Sequence, residues 1–155
     1  MRRINFLVTA FFLILLSLSL TACTTTRNFV IQLMAPSSFV ITYEPSWSSI
    51  ELRDNITYDK AWHSVTDRVV RNFEIEIMSM EDGYLRTNWL YTWTGEVNTN
   101  YRVRLTVKFN PEHTNVDIKS EAEYGGPGSW TPGYDTRLLQ TMKTDIMGTI
   151  GRATR

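Results

Sequence analysis

The clearest pattern in the chain lies between residues 101 and 124. Tyr101, Val103, Leu105, Val107 and Phe109 alternate strictly with Arg102, Arg104, Thr106 and Lys108, the two-residue period of a strand with one buried and one wet face. After a loop at Asn110–Asn115, Val116, Ile118, Ala122 and Tyr124 alternate with Asp117, Lys119, Glu121 and Glu123. A basic strand is thus followed by a largely acidic one, and antiparallel pairing of their wet faces favours one register by roughly a few tenths of a kcal/mol per pair.

Upstream the spacing is helical. Tyr58, Trp62, Val65, Val69 and Phe73 (or Val70) recur every three to four residues, with Lys60, Asp67, Arg68 and Arg71 on the other side and Thr57 placed as N-cap. Alternation then returns in FEIEIM, where Phe73, Ile75 and Ile77 are expected on one face and Glu74 and Glu76 on the other. A turn at Glu81-Asp82-Gly83 leads into YLRTNWLYTW, whose Leu85, Thr87, Trp89, Tyr91 and Trp93 are expected to share a face, with Arg86 and Asn88 pointing the opposite way. SFVITYE and SSIELRD, separated by Pro45, predict two short strands before the helix. The Gly/Pro-rich GGPGSWTPG, Gly125–Gly133, reads as a loop that ends the sheet. Asp135 is placed to cap a final helix with an apolar stripe of Leu138 or Leu139, Met142, Ile146 and Ile150, and Arg152 and Arg155 lie near its negative end. These elements predict an α+β domain: an antiparallel sheet of about five strands covered on one face by two helices.

The first 22 residues follow a different logic. Arg2 and Arg3 precede an apolar run, Phe6–Leu20, which at about 15 residues is shorter than the roughly 20 that span a bilayer. With small residues at Thr21-Ala22, this reads as a removable secretory signal. The single cysteine, Cys23, follows at once, and one cysteine forms no disulfide within the chain. Leu20-Thr21-Ala22-Cys23 resembles the lipobox of bacterial lipoproteins. The resemblance implies that Cys23 becomes the lipidated first residue of the mature chain, its thiol being the natural acceptor of a lipid thioether. Acyl chains would then anchor the protein to membrane lipid without a spanning helix. Thr24 stands where some lipoproteins carry the aspartate of inner-membrane retention, which points to a periplasm-facing position on the outer membrane. Residues 23–38 are expected to be the lipidated N-terminus and tether, with Phe29–Met34 as tether, membrane contact or edge strand, and residues 39–155 to form one domain.

Removing Met1–Ala22 takes away two arginines and no acid, leaving 14 bases against 16 acids. That balance supplies no electrostatic footprint for nucleic acid. The stretch from Thr57 to Trp89 also resembles the helix-grip domain of the C component of the outer-membrane β-barrel assembly machinery. The matching positions are Ala61-Trp62-x-x-Val65, Asp82-Gly83 and YLRTNW. The resemblance implies a helix-grip fold and an envelope role.

No motif rises to a catalytic assignment. His63 and Asp67 stand four apart on the predicted helix but have no serine or cysteine nucleophile spaced to complete them, so they read as a solvated face. His113, beside Pro111, is too far along the chain from His63 to suggest zinc. Glu74 and Glu76 are expected on the wet face with the Arg/Lys row, which lowers carboxylate pKa values instead of raising one for acid catalysis; Glu81 and Asp82 fall in the turn. The loop Gly125–Gly133 lacks the lysine followed by Ser or Thr of a P-loop. No cofactor or metal is expected. Trp89, Tyr91 and Trp93 read as core packing in preference to a stacking platform, and Trp93 and Trp130, near loop ends, are the candidate partner or ligand contacts. The expected function is a non-enzymatic, lipid-anchored accessory to an envelope assembly or maintenance complex, acting through protein contacts. The alternative is a module binding lipid, peptide or glycan fragments in a pocket between helix and sheet.

Overall fold

A computed structural model describes residues 27–152. The described residues fall into two compact units divided after Ala35. In the first, residues 27–34 are helical and Phe29, Leu33 and Met34 are exposed. The edge strand considered for Phe29–Met34 is therefore corrected to helix. Its apolar run has no two-residue alternation to sustain a strand, and it stops just ahead of Pro36, which disfavours helical backbone in the residue before it. The signal segment and Cys23 lie outside the described residues, as does Arg155.

The second unit contains β1 (Phe39–Ile41), β2 (Ser48–Glu51), α1 (Tyr58–Val70), β3 (Ile75–Ser79), β4 (Tyr84–Thr87), β5 (Tyr101–Phe109), β6 (Asn115–Tyr124), β7 (Thr131–Asp135) and α2 (Thr136–Ile150). One antiparallel sheet runs β1-β7-β6-β5-β4-β3, and β2 pairs with the other end of β6's β7-side edge. The class is α+β as expected, with seven strands in place of about five.

The strand without a counterpart in the sequence pattern is β7, which corrects the expectation that Gly125–Gly133 closes the sheet as a loop. Its Thr131–Gly133 pair with Ala122–Tyr124, and Gly133–Asp135 pair with β1. Gly133 is required there: a Cβ would sit 2.3 Å from the Val40 carbonyl oxygen and 2.5 Å from the Phe39 ring. The composition that looked like a turn instead permits close backbone approach.

At the centre, β5 and β6 pair without irregularity from Tyr101↔Tyr124 to Phe109↔Val116. Their inward residues are buried, with Val103, Leu105, Val107 and Ile118 at 0% exposure. Both helices cover this face. Thr57 Oγ1 accepts from the Lys60 amide to cap α1, which buries Ala61, Trp62, Val65 and Val69. α2 buries Leu138, Met142, Ile146 and Ile150, so Leu138 and not Leu139 completes its stripe. Beyond α2, Arg152 pairs with Glu51 and Asp54, tying the chain end to β2 and the loop after it.

Candidate functional site

Two insertions in the backbone decide which side chains the rim of the sheet presents. In β3 the register slips between Ile75 and Ile77: Ile75 faces Thr87, Ile77 faces Arg86 and Met78 faces Leu85. Thr87 and Leu85 are buried inward, so Ile77 is turned to the outer face beside Arg86. The expectation that Ile77 shares the face of Phe73 and Ile75 fails for this reason, since one extra residue inverts the alternation beyond it.

The second slip follows β4. Thr87 Oγ1 accepts from the Leu105 amide, yet the next paired residue is Leu90, which exchanges both backbone hydrogen bonds with Val103. Inward positions are thus three apart, where alternation requires two. Trp89 and Tyr91 are thereby carried to the outer face, and the expected common face of Leu85, Thr87, Trp89, Tyr91 and Trp93 is split.

On that outer face Trp89 lies 4.5 Å from the guanidinium carbons of both Arg102 and Arg104, and Trp130 lies 4.2 Å from Arg102. Arg102 also pairs with Glu123 at 2.5 Å and donates to Tyr91 Oη at 3.1 Å. Arg104 holds Glu121 at 3.0 Å and approaches Glu76 at 4.0 Å; Glu76 pairs with Arg86, and Lys119 lies over Trp47. The cross-strand charge pairing expected from the sequence is present as Arg102↔Glu123 and Arg104↔Glu121. Burial alone would raise the Glu121 carboxyl, but Arg104 and Lys119 outweigh it and hold the group below the ordinary carboxylate range. Thr106 is covered by the same belt and donates to Glu121. Stacked rings and aliphatic stems therefore shield the sheet face that has no helices.

On the inner side the focus is Asp135, at 0% exposure. Its carboxylate accepts from Ser38 Oγ at 2.7 Å, Tyr101 Oη at 2.5 Å, Trp93 Nε1 at 3.3 Å and the Leu138 amide at 2.6 Å, the last being the cap of α2. Burial first, and then Asp135, push the Tyr101 phenol well above its usual range. Ser120 Oγ meanwhile accepts from the Asp135 amide and donates to its carbonyl. Four donors satisfy one buried carboxylate, which is the condition under which such a charge is tolerated. It is a structural hub and presents no free lone pair for chemistry.

The two candidate contact tryptophans are not brought together. Trp93 stacks on Phe73 with ring centroids 6.2 Å apart and donates to Asp135 from the inner side. Trp130, expected as an exposed loop residue, is half-buried over Arg102 on the outer face.

Where the two slips meet, at the open end of the β3–β4 hairpin, lies a cavity of about 580 Å³. Its apolar wall is Val70, Phe73, Trp89, Leu90, Tyr91 and Val97, and its polar groups are Asn72, Glu74, Asn88 and Thr92. Glu74 is thus separated from the basic row on which Glu76 sits, correcting the expectation that both share it. Sequence reasoning missed this cavity. Its one local signal is Val97, an isolated apolar residue within TGEVNTN that is 73% exposed.

The remaining candidates have structural partners. His63 Nδ1 lies 2.8 Å from the Asp59 carbonyl oxygen, and Asp67 pairs with Arg71 at 2.7 Å, so the His63–Asp67 contact does not form. His113 stacks on Tyr58 at 3.6 Å, and Asp82 accepts from Ser79 Oγ within the hairpin turn. Among the described residues, no group of three or more His, Cys, Asp or Glu is placed to hold a metal ion, and no helix is long and apolar enough to cross a membrane. No protein-family model matches the chain, and no curated protein is similar enough in sequence to count as a relative.

Proposed function

We propose that this protein is a lipid-anchored, periplasm-facing accessory of an envelope assembly or maintenance complex that works by protein contact and not by turnover. The anchor reading rests on Leu20-Thr21-Ala22-Cys23 directly after the apolar run. The contact reading rests on one observation: exposed apolar residues gather where the hairpin opens. Val70 and Val97 line the cavity there, and Ile77 and Met78 are exposed on the adjoining strand β3. A grouped apolar rim on a small domain is the usual mark of an interaction site. Anchoring raises the local concentration of such a rim near membrane partners.

The alternative, a ligand module with its pocket between helix and sheet, has less support. The inward stripe of α2 is at 0–1% exposure, so that interface is filled by side chains.

The test is affinity purification from detergent-solubilised envelope, with Cys23→Ala as the unanchored control. The proposal expects a defined polypeptide retained by the wild type and lost or reduced with the control. Retention of no polypeptide, together with a defined small molecule in native mass spectrometry, transfers support to the ligand module.

A further inference from the structure

The cavity at the open end of the β3–β4 hairpin carries chemistry that narrows what docks there. Its wall is apolar, yet among the described residues Glu74 has no ion-pair or side-chain hydrogen-bond partner, and neither have the amide groups of Asn72 and Asn88. On the neighbouring outer face Glu76, Glu121 and Glu123 are each paired, with Arg86, Arg104 and Arg102. No base lines the cavity. Glu96, next to Val97 and lining the adjoining cavity, also has no ion-pair partner among the described residues. An apolar wall beside exposed carboxylate and amide groups complements a long aliphatic stem tipped by a cation.

The neighbouring backbone adds a second, independent requirement. Among the described residues β3 is the last strand of the sheet, with no strand on its other side, and from Ile77 to Ser79 its register is regular. A strand edge of this kind accepts an extended polypeptide by backbone hydrogen bonding. Exposed Ile77 and Met78 offer apolar contacts to side chains on either face of such an addition.

We infer that the cavity takes a lysine or arginine side chain of an extended partner segment, whose backbone continues along the free edge of β3. This deepens the contact reading above and rests on it for the partner's being a protein.

The test uses the full-length, nitrogen-15-labelled chain in zwitterionic detergent micelles. The probes are the blocked pentapeptide Val-Lys-Val-Lys-Val, its Val-Glu-Val-Glu-Val counterpart and butylamine. The lysine peptide is expected to shift the backbone amide signals of Glu74, Asn88, Val97 and Ile77–Ser79, and Glu74→Gln to weaken it about tenfold, the scale of one lost charge-assisted hydrogen bond. Unchanged affinity of the Glu74→Gln chain overturns the inference, as does an equal response to the glutamate peptide. Butylamine binding as tightly as the peptide assigns the cavity to small amines and also overturns it. Concentration-dependent shifts along β3 without any probe assign the edge to a second copy, with the same consequence. The envelope purification, repeated with Glu74→Gln, separates this inference from the broader reading. A polypeptide retained equally by both chains keeps the contact function and removes the cavity from it. Peptide binding at the cavity with nothing retained from the envelope keeps the cavity's chemistry and removes the contact function.

Discussion

The β5–β6 pair and the β3–β4 hairpin belong to one sheet, but they treat their side chains in opposite ways. In β5–β6, nine residues face nine in unbroken register, every apolar position is inward, and Arg102 and Arg104 meet Glu123 and Glu121 across the strands. In and after the hairpin, one slip lies between Ile75 and Ile77 and another between Thr87 and Leu90, and the side chains beyond each appear on the unexpected face. Regular alternation builds a core and neutralises its own exterior. Single inserted residues place tryptophan over arginine and isoleucine in solvent, and open a cavity beside Glu74. The rim that differs from the rest of the molecule is a product of two one-residue displacements.

The largest expected effect comes from cutting the hub that joins the regions. Asp135→Ala leaves the donors of Ser38, Trp93, Tyr101 and Leu138 without their acceptor, from both the strand pair and the loop after the hairpin. Chemical denaturation should show a loss of about 4 kcal/mol. Next, Leu105→Ala at the centre of β5, fully buried, should cost about 3 kcal/mol in the same measurement. Arg102→Ala probes the outer belt. It removes the stack between Trp89 and Trp130 and the pair with Glu123, at an expected cost of about 2 kcal/mol. Arg102→Lys keeps the charge without the planar fork and should fall between it and the wild type.

The belt also predicts a pH dependence. Glu121 is held below its ordinary value by Arg104 and Lys119 despite its burial. A depressed carboxyl contributes stability that is complete above the unfolded glutamate pKa of about 4.3 and is lost as pH falls through the lower folded value. Thermal melts should therefore decline below about pH 4.3, and Glu121→Gln should flatten that decline. The smallest effect completes the comparison: Met78→Ala, on the exposed edge of β3, should change stability by less than about 0.5 kcal/mol. A loss comparable to that of Leu105→Ala would remove the distinction between core and rim.

Most of the fold was legible because local patterns and tertiary demands agree. Thr57 and Asp135 act as caps, the two helical stripes are buried, and the charge-complementary strands pair in the expected register. β7 was not legible, because Pro132 and Gly133 carry turn composition while the close passage of Phe39 and Val40 requires glycine there. Of the candidate site, the contact tryptophans were identifiable as residues but not by position. Trp93 turned inward to Asp135 and Trp130 lay down on Arg102. Glu74 and Glu76, two apart, read as one pair and ended in different surroundings, one in the cavity and one on Arg86.

Periodicity, capping residues and cross-strand charge are local properties, so the amino-acid order alone specified the helices, the central strand pair and which faces they bury. Whether a strand absorbs an extra residue depends on what its neighbour offers opposite, and no local period records that. Folding therefore decided the fate of Ile77, Trp89, Trp93 and Glu74, and with it the rim on which a partner is proposed to bind.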